Sequence, residues 1–129
     1  MPVSLLLDTN IIIALFAKDT SVQQHLADAE EVFLPSIVLG ELYYGALRSG
    51  NPEPSLAKID EFAAANAVLP CDAMTARNYG EIKSGLRSKG HPIPENDIGI
   101  AAIAEQHGLT LVTRDEHFSE IDRLSVARW

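Results

Sequence analysis

The sequence predicts an α/β fold, a sandwich of helices around a central, mainly parallel sheet of four or five strands, and three observations carry that prediction. Short, mostly apolar runs at Val3–Leu7, Glu31–Leu34, Val68–Cys71 and Leu109–Thr113 have the length of strands and are separated by segments of helical periodicity. Strands alternating with helices imply parallel pairing through right-handed crossovers. Apart from Ser4, Val3–Leu7 is apolar at consecutive rather than alternate positions, as a strand buried on both faces is. With 129 residues and 47% hydrophobic content, the chain has the size of one domain, residues 1–129, with a proper core.

Taken in order, Asp8 arrives where the first strand must end, Thr9 and Asn10 follow as cap residues, and Ile11–Ala17 reads as a short apolar helix. Thr20 caps a second helix carrying Val22, His25 and Leu26. After the second strand, Ser36 caps Ile37–Leu47, which is apolar around most of its circumference and is therefore expected to be largely buried. Glu41 sits in its middle. A carboxylate there costs several kcal/mol, roughly, to bury unpaired, so it needs a cation or strong donors beside it; an Arg partner is the plain structural explanation.

Gly50, Asn51, Pro52 and Pro54 mark a turn before a helix at about Ser55–Ala65. Asp72 caps Ala73–Lys89 and Gly90 stops it, with Met74, Ala76, Tyr79, Ile82 and Leu86 as the core-facing positions. The two prolines of His91–Glu95 exclude helix there. Asn96 caps and Gly108 closes the next helix, which puts Asp97 in a first turn, where the helix dipole favours an anion whatever its function. Ala101, Ala102 and Ala104 allow that helix to lie close against a sheet. Arg114 and Asp115 follow the fourth strand as Asp8 follows the first, and Leu124–Arg128 is a last strand.

Eighteen acids against ten Lys and Arg give a formal charge of −8, which argues against a nucleic-acid partner unless some of the acids hold cations. Two bound divalent ions would halve that charge to about −4 and invert the field at their site. Arg77, Lys83, Arg87 and Lys89 cluster along one helix and read as a solvated face. A single cysteine, Cys71, and no leader-like apolar run at the start point to a reduced, cytoplasmic protein, and the longest apolar window is too short for a membrane span.

In a parallel sheet every helix starts on the edge where strands end, so four acids converge. Asp8 and Asp115 end strands, Asp97 opens the helix leading into the fourth strand, and Glu41 lies about one and a half turns into its helix. Carboxylates gathered within about 5 Å repel by about 3 kcal/mol per pair at an effective dielectric near 20. Such a cluster persists with cations, and all-oxygen ligands select Mg²⁺ or Mn²⁺, ions that bind substrate phosphates through their remaining positions.

Asp8-Thr-Asn10, the Glu41-Leu-Tyr-Tyr-Gly45 segment, Asn96-Asp-Ile-Gly-Ile-Ala-Ala102 and Thr113-Arg-Asp-Glu-His-Phe118 resemble, in order, the four acidic motifs of the PIN-domain ribonucleases, and within them of the VapC-type toxins of toxin–antitoxin pairs; Trp129 is similar to that family's ending. The resemblance implies a PIN-like α/β/α sandwich, endonucleolytic cleavage of RNA that leaves 5′-phosphate and 3′-hydroxyl ends, and metal held chiefly by Asp8 and Asp97 with Glu41 and Asp115 completing the site. It also implies supporting roles for Asn10 and Thr113, an antitoxin of the VapB type whose carboxyl segment lays an Arg among the acids, and a homodimer using the apolar helices Ile11–Ala17 and Ile37–Leu47. Val38 is a departure, because many members carry Ser or Thr three residues before the Glu. The main rival is a Mg²⁺-binding phospho-acceptor receiver domain with Asp72 as acceptor, which requires a Lys near the last strand; no Lys follows Lys89.

Overall fold

A computed structural model describes residues 4–129; Val3, the first residue expected in the opening strand, lies outside the described residues. Five strands, β1 (Ser4–Leu7), β2 (Glu31–Pro35), β3 (Ala67–Leu69), β4 (Thr110–Val112) and β5 (Val126–Ala127), form one sheet of order β3-β2-β1-β4-β5 in which every pairing is parallel. The flanking helices are α1 (Thr9–Phe16), α2 (Thr20–Asp28), α3 (Ser36–Leu47), α4 (Pro52–Ala65), α5 (Ala73–Lys89) and α6 (Glu95–His107), with a 3₁₀ turn at Glu116–Glu120. The α/β architecture matches the expectation; the third, fourth and fifth strands are each shorter than expected.

The strand order explains where the core sits. Because β1 is central, Leu6 and Leu7 are fully enclosed, together with Leu34, Leu111 and Val112 of the adjoining strands. In α6 every residue from Ile98 to Ala104 is buried. Its small side chains permit that approach, and at Gly99 a Cβ would lie 2.5 Å from Cδ1 of Ile37 on α3. The chain steps outward from β1 to β2 to β3, then returns to pair β4 with the other edge of β1. β1 and β4 therefore flank the topological switch point, where open α/β sheets form their crevice.

Several local expectations are corrected. Asp8 itself caps α1, accepting from Thr9 N at 2.8 Å, so Thr9 and Asn10 fall inside the first turn with their side chains free for other partners. Asp19, not Thr20, caps α2 through Val22 N. Helices α3 and α6 start after Pro35 and Pro94, which hold the cap position with extended backbone (ψ 139° and 144°) and offer no side-chain acceptor, so neither Ser36 nor Asn96 plays that part. Met74 and Ala76 are exposed rather than core, and Tyr79 is only half-buried, its hydroxyl donating to Glu95. α3 buries only Val38, Leu42 and Ala46 and leaves Tyr44 and Leu47 each 63% exposed, because the chain supplies helices to its inner face only. The expected Asp72 cap of α5 is present as a capping box with Thr75, and Gly90 and Gly108 close their helices at φ 73° and 63°, backbone that glycine adopts freely.

A candidate acidic site at the carboxyl edge of the sheet

Asp8 leaves the end of β1 into the switch-point crevice and is 4% exposed. Its Oδ2 accepts from Thr113 Oγ1 at 2.7 Å and from Asn10 Nδ2 at 3.2 Å, while Oδ1 takes the Thr9 amide. Thr113, buried at the end of β4, also accepts the Asp115 amide at 2.9 Å, and Asn10 Oδ1 accepts the Arg114 amide at 3.1 Å. The two side chains thus tie the loop after β4 to the loop after β1, and fix Asp8 and Asp115 relative to each other. Neither bond could be read from periodicity, since the partners are about a hundred residues apart.

Glu41 points from α3 toward the same edge and accepts from Thr9 Oγ1 at 3.0 Å. The expected Arg partner is absent: among the described residues no Lys or Arg makes an ion pair with Asp8, Glu41, Asp97 or Asp115. The one side-chain donor to Glu41 among the described residues is the Thr9 hydroxyl, and Val38, one turn before Glu41, is enclosed in the core. Arg114, adjacent to Asp115 in the chain, is turned away; its Nε donates to the main-chain oxygen of Trp129 and its Nη2 pairs with Asp19 at 2.9 Å. Trp129 is in turn stacked on His25.

Asp97 lies in the first turn of α6, half-buried. Burial raises its carboxyl, and the charges of Asp8, Asp115 and Glu41 push the same way against an opposing bond from His117, so it titrates at about 6 rather than 3.8. Asp8 is also raised, first by burial and then by the charge of Asp115, with the Thr113, Thr9 and Asn10 bonds opposing. Glu41 is raised by burial and by Asp8, with the Thr9 bond opposing. The four sequence-picked acids therefore share one electrostatic site, but burial, more than mutual repulsion, sets its character.

Their geometry is less symmetrical than four equivalent ligands. The side chains whose donor atoms all fall within 4.8 Å of one another, among the described residues, are Asp97, Asp115 and His117. Asp8 and Glu41 stand outside that spacing. His117 is the residue the sequence reading passed over; it lies two positions after Asp115 in the 3₁₀ turn, with Nδ1 3.1 Å from Asp115 Oδ1 and 3.6 Å from Asp97 Oδ2. The signal was an imidazole beside a strand-ending acid.

A PIN domain family model matches residues 5–124. The chain belongs to the PIN-domain family. Within that family the chain is 35% identical over 127 residues to a Haemophilus influenzae protein named Ribonuclease VapC2 and, equally, to the tRNA(fMet)-specific endonuclease VapC of Shigella flexneri, each match covering 96% of both chains. Among solved PIN-domain structures it resembles VapBC from Salmonella typhimurium in its DNA-bound form, with a TM-score of 0.91 at 32% identity over 98% of each chain. It also resembles Rickettsia felis VapBC2 bound to a DNA fragment from its promoter, with a TM-score of 0.89 at 32% identity over 97% of this chain and 98% of that one. The receiver rival falls on topology. In this PIN fold β3 is an edge strand two positions from β1, and Asp72 spends its carboxylate on Thr75 and Gln106 as a helix cap, away from Asp8.

Proposed function

We propose that this protein is a Mg²⁺- or Mn²⁺-dependent endoribonuclease and the toxin of a toxin–antitoxin pair. The carrying observation is the switch-point edge of the sheet, where the charges of Asp8, Glu41 and Asp115 act on Asp97 and, among the described residues, no Lys or Arg forms an ion pair with any of the four, in a chain 35% identical to proteins named as ribonucleases. The donor set fits a hard divalent cation, since Asp97, Asp115 and His117 have the spacing of adjacent ligands and Asp8 and Glu41 add charge beside them. When bound, such an ion supplies positive charge that eases deprotonation of the attacking water and offsets the charge developing on the phosphodiester.

The protein's own part is positioning. Asp8 and Asp97, with Glu41 and Asp115, would hold the ion; Asn10 and Thr113 both donate to Asp8 Oδ2 from fixed loops and so keep that carboxylate in one rotamer. One of the carboxylates takes the proton of the water, and burial of Asp8 and Asp97 limits solvent around it. A backbone phosphate would otherwise meet a purely negative surface on a chain of charge −8, so RNA binding and metal binding are one event. Purified protein is expected to cut RNA with Mg²⁺ or Mn²⁺, and to lose that activity in excess EDTA or as Asp8→Asn; unchanged cleavage in either case refutes the metal-dependent reading.

The second half of the proposal is the partner, an antitoxin of the VapB type. Solved relatives are VapBC complexes, and a largely apolar groove between α1, α3 and α4 is lined by Ile13, Phe16, Leu42 and Ile59, with Glu41 and Lys58 also in its wall. An apolar peptide lying there would deliver an Arg to the carboxylates, where a guanidinium can replace the cation. The exposed Tyr44 and Leu47 also offer surface to a second copy in a homodimer. Expression of this chain alone is expected to arrest growth, and co-expression of its cognate antitoxin to relieve the arrest; absence of toxicity at every expression level refutes the toxin assignment and leaves the nuclease standing.

A further inference from the structure

We propose that His117 is a direct ligand, through Nδ1, of the divalent cation at the acidic site, which makes that site a mixed nitrogen–oxygen one that prefers Mn²⁺ to Mg²⁺. The proposal rests on the metal-dependent reading above and adds a ligand that the four-carboxylate pattern lacks.

Six-coordinate ions bind these donors at about 2.0 to 2.2 Å, so neighbouring ligand atoms stand about 3 Å apart and opposite ones about 4.2 Å. His117 Nδ1 lies 3.1 Å from Asp115 Oδ1 and 3.6 Å from Asp97 Oδ2, and all three donors fit inside 4.8 Å. An ion seated among them needs little rearrangement of the chain. Asp8 and Glu41, by contrast, lie outside this spacing.

The placement is also built rather than incidental. The 3₁₀ turn is pinned by Phe118, which is fully enclosed in the core, and the His117 amide donates to Asp115 Oδ1 at 2.9 Å. The backbone under the imidazole is therefore fixed, while the ring itself is about half exposed and free to turn its nitrogen toward an ion. His117 could instead serve as a protonated counter-charge to the two aspartates. A cation arriving at the aspartates would then expel the ring, and no metal–nitrogen bond would form. The preference follows from donor chemistry, because Mg²⁺ holds to oxygen ligands whereas Mn²⁺, further along the transition series, accepts imidazole more readily.

The deciding measurement uses Mn²⁺ as a spectroscopic probe of the full-length chain. Electron spin-echo modulation of the bound Mn²⁺ is expected to show a directly coordinated nitrogen, to change when histidine alone is ¹⁵N-labelled, and to vanish in His117→Gln. The same variant should weaken Mn²⁺ binding about tenfold in an EPR titration, and weaken Mg²⁺, read by competition, less than about threefold. A second protein, with His25, His91 and His107 all changed to Gln, should keep the nitrogen signal, so the assignment does not depend on His117→Gln folding. Mn²⁺ bound to wild type without nitrogen coupling, coupling retained in His117→Gln, or coupling lost in the triple variant overturns the ligand assignment while sparing the metal site. Failure of wild type to bind Mn²⁺ at all overturns both.

Discussion

Asp97 is the acid of the site whose carboxyl is moved far from its ordinary value. Its carboxyl is raised to about 6 by burial, reinforced by Asp8, Asp115 and Glu41, so at pH 7 the metal-free protein holds an ionised group that the fold disfavours. Asp97→Asn keeps the shape and removes that charge. The lost helix-dipole attraction is roughly 0.3 to 1 kcal/mol, smaller than the on-the-order-of 2 to 3 kcal/mol that a shift of this size represents. In EDTA near pH 7 the variant is therefore expected to melt at or above wild type, while its Mn²⁺-induced rise in Tm and its cleavage of RNA both collapse. Scanning fluorimetry with and without Mn²⁺ checks it. A variant clearly less stable in EDTA that keeps the full Mn²⁺ shift would make Asp97 a helix-terminus acid and nothing more.

At the scale of elements, the same residue type does opposite work at two helix starts. Asp72 begins α5 in an open position, where the Thr75 amide, the Gln106 amide group and the Thr75 hydroxyl surround it and hold its carboxyl below the ordinary range. Asp97 begins α6 at the crevice and is raised. Asp72→Ala is expected to lower Tm by a few degrees through loss of the capping box and to leave RNA cleavage unchanged. Urea denaturation beside a cleavage assay tests both halves, and a variant inactive while still folded would revive a catalytic Asp72. The basic residues of α5 follow the surface reading, with Arg77, Lys83 and Lys89 paired to Glu81, Glu95 and Asp122. Such exposed pairs add little stability and leave that face close to neutral.

For the whole molecule, the balance of raised and lowered carboxyls sets the pH response. Asp97 binds its proton up to about pH 6 in the fold but only to about 3.8 when unfolded, and Asp8 and Glu41 are raised in the same direction. Between those limits the folded state holds more protons, so stability is lost as pH climbs through 6 and regained on acidification. Asp19 and Asp72 are lowered, and their contribution is lost only as pH falls below 3.8 toward their folded values. Metal-free protein is thus expected to gain Tm from pH 7 down toward 3.8 and to lose it below; millimolar Mg²⁺, by holding the acids ionised, should flatten that gain. A metal-free Tm that falls steadily from pH 7 would mean that the cluster is not strained.

The sequence by itself determined the alternation of strands and helices, because apolar runs of strand length and helical spacing are local patterns. It also determined that Asp8, Glu41, Asp97 and Asp115 share an edge, because parallel crossovers put every strand end and helix start on one side. Gly90 and Gly108 as helix stops and Asp72 as a cap were legible for the same reason, since each depends on the backbone of its own few residues. The tertiary structure alone decided the strand order that puts the crevice between β1 and β4, the exposed outer face of α3, and the exchange of the expected Arg partner of Glu41 for the Thr9 hydroxyl. It decided the Asp8–Thr113–Asn10 bonds and the approach of His117 to Asp97 as well. These are contacts between residues brought together by strand pairing and burial. Periodicity encodes which face of an element is apolar, whereas the partner that meets that face is fixed only when the sheet closes.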